Sequence, residues 1–179
     1  MHETAEDLAE LQRLLDESYT TAGAHLREVT TPERRLDAVA LAAKLDDMRL
    51  LVLATSTADG RPIAGPVDGI FYRGSFHFGS SPDSVRFRHI RSRPAVSATH
   101  LPSEELAVTV HGTAEPVEVA SADHAGFRRT LLDIYTDRYG PDWETFLDSG
   151  PVYARIHASR MFTFWMPVDA EGGSVAAHD

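Results

Sequence analysis

The chain has 179 residues, 42% of them hydrophobic and 25% charged, which suits one globular domain with a helical extension and rules out wholesale disorder. It contains no cysteine, which excludes a disulfide framework, a thiolate metal site and a cysteine nucleophile. A formal charge of -10 opposes nonspecific binding to nucleic acid or to an anionic membrane. The acidic start Met1–Asp7 lacks the apolar core of a secretory signal, and no apolar run reaches the roughly 18 residues of a membrane span. The expected location is cytoplasmic.

In chain order, Leu8, Leu11, Leu14 and Leu15 recur at helical spacing and predict a helix over 4–28. Thr31-Pro32-Glu33 starts a second helix, with Thr31 as cap and Pro32 in the first helical position, running to about Asp47. Leu36, Val39, Ala40 and Ala43 share its apolar face, widened by Leu41 and Leu45. Such helices either close one end of a barrel or pack on a partner chain.

From Arg49 the texture becomes that of strands. Leu50–Thr55 is a short apolar run, Ala58-Asp59-Gly60 is a hairpin turn, and a second strand runs from about Arg61 to Tyr72. Pro62 and Pro66 mark it as irregular or as an edge at those points. Ser75–Phe78 predicts a third strand, Ala95–Leu101 a fourth, Leu106–Val119 a long fifth and Val152–Met166 the last. A helical stretch over 121–148 breaks near Gly140-Pro141. The predicted class is mainly β with added helices: an antiparallel barrel over 48–167, a helical extension over 1–47 and a loose tail over 168–179.

The most informative stretch is Phe78–His89. A strand ends in Ser80 and Ser81 and a helix begins at once, with Ser81 able to cap, Pro82 at the first helical position and Ser84 adding a hydroxyl. The first-turn amides and the dipole of such a helix favour an anion. Arg86, Arg88, His89, Arg91 and Arg93 follow without an intervening acid. Arg86, His89 and Arg93 fall on one side of the helix, and Phe87 and Ile90 lie on an adjacent side where they can pack inward. Two readings stay open here: a phosphate held by guanidinium, hydroxyl and amides, or an ordinary capped helix with arginines in solvent.

The ordered set Ala54-Thr55, Asp59-Gly60-Arg61-Pro62, Pro66-Val67, Phe76–Ser80, Ser84-Val85-Arg86, Arg93–Ser97 and Val110–Ala114 resembles the pyridoxamine 5′-phosphate oxidase-like, FMN-binding split-barrel family over about residues 47–120. The resemblance implies that Arg61, Ser84 and Arg86 anchor the flavin phosphate. It also implies that Ser80 and Ser81 approach the ribityl-phosphate end and that His89, where relatives commonly have an amide side chain, can still donate a hydrogen bond. It further implies a homodimer with the cofactor at the interface, and flavin-dependent oxidoreductase chemistry on a small-molecule substrate. Related branches use a deazaflavin coenzyme or handle haem.

Two departures limit the substrate. Ser159–Trp165 does not reproduce the arginine–histidine motif with which the true oxidase holds pyridoxal phosphate, and the flavin-contacting glutamine has no counterpart around Ala107. Vitamin B6 oxidation is therefore not expected. His77, His100, His111 and His157 lie on predicted strands without H-x-H or H-E-x-x-H spacing, so no metal site is expected. Asp68 reads as a turn or bulge acid rather than a pocket carboxylate. His111 faces either the flavin ring or solvent, and Phe162, Phe164 and Trp165 read as core or dimer interface, with Trp165 at the flavin ring as the lesser reading. Ser56 and Ser97 lack a G-x-S-x-G context, and no G-x-G-x-x-G follows a strand.

Overall fold

The computed structural model describes residues 1–166; the predicted tail lies outside the described residues. The described residues form a closed antiparallel barrel of six strands: β1 (Met48–Ser56), β2 (Pro62–Tyr72), β3 (Ser75–Ser80), β4 (Ala95–Ser103), β5 (Leu106–Val117) and β6 (Val152–Trp165), in the order β1-β2-β3-β6-β5-β4. The antiparallel barrel read from the sequence is the fold observed.

The barrel is split on one side. β2 pairs with β1 from Ser56↔Pro62 to Met48↔Ile70, the whole length of β1, but meets β3 only over Gly69–Tyr72. Over Pro62–Asp68 it has one neighbour, so its prolines sit where a missing N–H costs no ladder bond. Beyond the split, Gly79 and Ser80 of β3 pair with Tyr153 and Val152 of β6.

The alternation of each strand sends Leu51, Leu53, Phe76, Phe78, Val108, Val110 and Ile156 into the barrel, all buried. β5 and β6 shift register between His111 and Gly112. A Cβ on Gly112 would stand 2.0 Å from the His157 carbonyl oxygen, so only glycine fits there.

The N-terminal segment differs from the predicted two long helices. α1 (Ala5–Thr20) ends at Thr21, and extended Gly23 restarts the chain as α2 (Ala24–Val29). Thr31 precedes only a three-residue 3-10 turn, Pro32–Arg34, and makes no side-chain cap. α3 (Ala38–Lys44) begins afresh behind Asp37, whose side chain accepts from the Ala40 amide at 2.8 Å. Its buried face is Ala38, Leu41, Ala42 and Leu45, while Val39 is exposed, so the predicted face was rotated. α1 and α3 share the barrel's core cluster, and α1 and the 3-10 turn pack against β6. Ser18 Oγ and Tyr19 OH each meet the β6 backbone, accepting from the Met161 and Thr163 amides.

The N-terminal elements also meet the aromatic run of the last strand, which the sequence reading gave as core or dimer interface. Phe162 lies edge-on to Tyr19, Arg34 sits over Phe164, and Lys44 Nζ lies 3.3 Å from the centre of the Trp165 ring. Each of the three rings thus has a contact from the N-terminal segment, and all three stay only partly buried.

A second, smaller core lies outside the barrel. α5 (Ala125–Tyr139) lays Phe127, Leu131 and Tyr135 over Ile70 and Tyr153. Gly140 ends it, and α6 (Trp143–Asp148) returns Trp143 and Leu147 to the same cluster. Among the described residues no helix is long and apolar enough to cross a membrane.

Candidate functional site

α4 (Val85–Ser92) follows β3 beside the split. Its cap is Ser84, whose Oγ accepts from the Phe87 amide at 3.4 Å, and not Ser81 as the sequence predicts. Ser81 instead shapes the turn before it: its carbonyl accepts from the Ser84 amide at 3.0 Å. The helix thus starts later than Pro82, and the amides of Val85 and Arg86 head its first turn without intrahelical acceptors.

Arg86, His89 and Arg93, which helical spacing puts on one side, each reach a barrel strand. Arg86 Nη2 donates to the Pro66 carbonyl at 2.9 Å, on the free stretch of β2. His89 Nδ1 and Thr55 Oγ1 share a hydrogen bond at 2.9 Å, and Arg93 Nε donates to the Ser56 carbonyl at 2.9 Å. Phe87 and Ile90 are buried in the barrel end, with the Phe87 ring 5.8 Å from that of Phe78. Arg88 and Arg91 turn away, onto the carbonyls of Asp83 and Pro82.

Two hollows meet at Arg86 and Ser80. The smaller, about 240 Å³, lies between β1, the start of β2 and the N-terminus of α4; Thr55, Gly65, Ser80, Ser84 and Arg86 are among its walls. Arg86 is the one charged side chain among its lining residues. The larger, about 620 Å³, opens on the other side of Arg86, under α5 and α6. Ser81 lines this larger cleft. Gly79 forms part of its floor, where a Cβ would stand 2.7 Å from the Tyr153 ring.

Of the six residues singled out in the sequence, Ser80, Ser84 and Arg86 converge on the small hollow and Ser81 lies next door. His89 stands one turn along α4, held by Thr55. Arg61 lines neither hollow; it is exposed in the β1–β2 turn, with Nε 2.8 Å from Asp59 Oδ2.

The aromatic lining of the larger cleft was missed in the sequence. Tyr135, Tyr139 and Trp143 recur every four residues across the Gly140-Pro141 break, a spacing that could have revealed it. Asp68 also belongs there. It sits in regular register opposite Leu50, not at a turn or bulge, and its Oδ2 accepts from the Tyr135 hydroxyl at 3.3 Å. Burial, with the Asp68 carboxylate adding to it, pushes the Tyr135 and Tyr153 hydroxyls far up, so both stay protonated.

The strand histidines each have a local partner. His77 Nδ1 meets the Ser75 carbonyl at 3.2 Å, His100 Nδ1 the Leu50 carbonyl at 2.9 Å and His111 Nδ1 the Ser97 hydroxyl at 2.8 Å. His157 is bonded to Glu115. Among the described residues no three potential ligands converge on one point.

Comparison with known proteins agrees with this architecture. The family model described as pyridoxamine 5′-phosphate oxidase matches residues 38–161. A conserved hypothetical protein from Mycobacterium tuberculosis superposes with a TM-score of 0.62 at 21% identity, over 81% of this chain and 98% of that one. An FAD-binding protein from Mesorhizobium loti gives 0.53 at 23% identity, over 73% and 95%. The heme storage protein HutZ from Vibrio cholerae gives 0.55 at 18% identity, over 74% and 94%. At these identities the likeness is one of fold. No curated protein matches. The family match runs from the start of α3 into β6 and takes in the whole split with both hollows: the chain belongs to the pyridoxamine 5′-phosphate oxidase family.

Proposed function

We propose that this protein is a cytoplasmic, FMN-binding oxidoreductase that works as a homodimer and transfers hydride between the flavin and a small organic substrate. The observation that carries the reading is the small hollow at the head of α4. One guanidinium, two serine hydroxyls and two helix-terminal amides surround it, and no acid lines it. That donor set complements a phosphate dianion.

In this reading Arg86 and Ser84 hold the phosphate from α4, and Ser80 holds it from β3. Ser81 supports the ribityl end from the adjoining cleft. His89 positions Thr55 in the wall. Arg61 lies two residues before Ile63, a wall residue of the hollow. Its exposed pair with Asp59 contributes little, so it is free to turn onto a phosphate. Bound FMN supplies the hydride chemistry, and the chain's residues bind and orient, which requires no acid or base of their own.

The dimer has its own support. Leu50, Val52 and Leu101 are 62%, 53% and 63% exposed on adjoining strands of the outer barrel face. Such an apolar strip suits a second copy of the chain. The hollow also has room for the phosphate end of FMN but not for its ring system, which a partner surface would cover.

Titrating apo-protein with FMN and with riboflavin tests the phosphate site. Losing the charge-assisted contacts weakens riboflavin on the order of a hundredfold relative to FMN. Equal affinities would refute the assignment.

A further inference from the structure

The larger cleft has a chemistry of its own. Tyr135, Trp143 and Tyr153 line it as buried rings, and Tyr139 and Phe146 stand at its mouth, 61% and 55% exposed. Tyr135 lies nearly parallel to Trp143, with centroids 4.5 Å apart and planes at 15°, and nearly parallel to Tyr139, at 5.9 Å and 13°. This wall suits a flat ligand.

The charges in the cleft are just as simple. Arg86 and Asp68 are the only charged side chains among the lining residues. Arg86 sits at the junction with the small hollow and is engaged by the Pro66 carbonyl. Asp68 is half-buried on β2, and the one hydrogen bond described for its carboxylate is that from Tyr135. Aromatic faces and a carboxylate both attract positive charge.

We propose that this cleft is a binding site for a planar aromatic cation, held by Asp68 and the ring faces of the α5–α6 wall. Because the cleft shares Ser80 and Arg86 with the small hollow, its occupant is the substrate of the flavin site; that last step rests on the proposed function, whereas the binding itself does not. The aromatics explain the affinity, and Asp68 explains the sign of the charge. Tyr139 and Phe146, too exposed to stabilise the fold much, then cover the ligand.

The test is calorimetric titration of the purified full-length protein with N-methylquinolinium and with a neutral methylquinoline of the same size, at mildly alkaline pH. The cation binds at least about tenfold more tightly than its neutral counterpart, the preference expected of a partly desolvated cation–π site with a counter-ion. Asp68→Asn cuts that preference several-fold, and Phe146→Ala, which removes a ring face, weakens the cation more than the neutral probe. Equal affinity of the two probes for the wild type, no binding of either, or a preference undiminished by Asp68→Asn would overturn the proposal. FMN affinity is measured on the same preparations. Failure of the wild type to bind FMN overturns the flavin reading, and the probe result still decides the cleft.

Discussion

Replacing Arg86 by alanine tests the phosphate site at its only charged lining residue. In the structure Arg86 is half-buried and its Nη2 is 2.9 Å from the Pro66 carbonyl. Pro66 is exposed, so water replaces the lost donor and the fold loses at most about 1 kcal/mol. The cofactor loses more. A hydrogen bond between a guanidinium and a phosphate contributes about 1.5–3 kcal/mol, which is a loss of about 10- to 150-fold in FMN affinity. Arg91→Ala is the matched control: it removes the same charge from the same helix, on the side where Nη2 meets the Pro82 carbonyl at 2.9 Å. Its effect stays within about twofold, the residue of a screened surface charge. Arg61→Ala falls between the two, because that side chain is exposed and must first leave Asp59. Quenching of flavin fluorescence on titration into apo-protein reads all three, with melting temperatures recorded alongside. Unchanged FMN affinity in a folded Arg86→Ala protein would refute the reasoning.

Other consequences follow from particular contacts. Gly112→Ala drives a Cβ against the His157 carbonyl, backbone on backbone, and should cost about 3 kcal/mol, lowering the melting temperature by roughly 10 °C in thermal denaturation. Burial pushes the His77 pKa down to about 3, so the folded state stays neutral where the unfolded chain binds a proton. Stability is therefore lost as pH falls below the unfolded value of about 6.5, and His77→Phe should flatten the slope between about pH 6 and pH 4 by about 1.4 kcal/mol per unit in urea titrations. Val52→Glu puts a charge into the exposed apolar strip and should yield monomers with weakened FMN binding in sedimentation across a dilution series; a dimer of unchanged strength would remove that face from the interface. Pyridoxamine 5′-phosphate should be oxidised slowly or not at all in an oxygen-uptake assay, since Ser159–Trp165 lacks the arginine–histidine motif that would grip it.

The barrel was legible because its strands alternate and its turns carry Gly and Asp, both local signals. Pro62 and Pro66 even marked the free stretch of β2, since proline tolerates only an unpaired edge. The face of α4 was legible for the same reason: Arg86, His89 and Arg93 follow from helical geometry alone. The start of that helix was not, because Ser81, Pro82 and Ser84 all favour a helix terminus and only the packing of Phe87 and Ile90 selects Ser84. The N-terminal helices were misread where Gly23 and Asp37 outweighed a continuous apolar rhythm. The spacing of Tyr135, Tyr139 and Trp143 was open to a linear reading, but the place of Asp68 beside them was not, because it joins β2 to α5 across some seventy residues. Trp165, read as core or dimer interface, meets Lys44 of the N-terminal segment, a contact that no local pattern announces.

The most direct test of the central claim is the absorption spectrum of the freshly purified protein, followed by mass analysis of whatever denaturation releases. The account predicts a two-band flavin spectrum, release of FMN and a stoichiometry approaching one per chain after reconstitution. A Soret band, the single band of a deazaflavin, or a colourless protein that takes up no FMN on titration would contradict it.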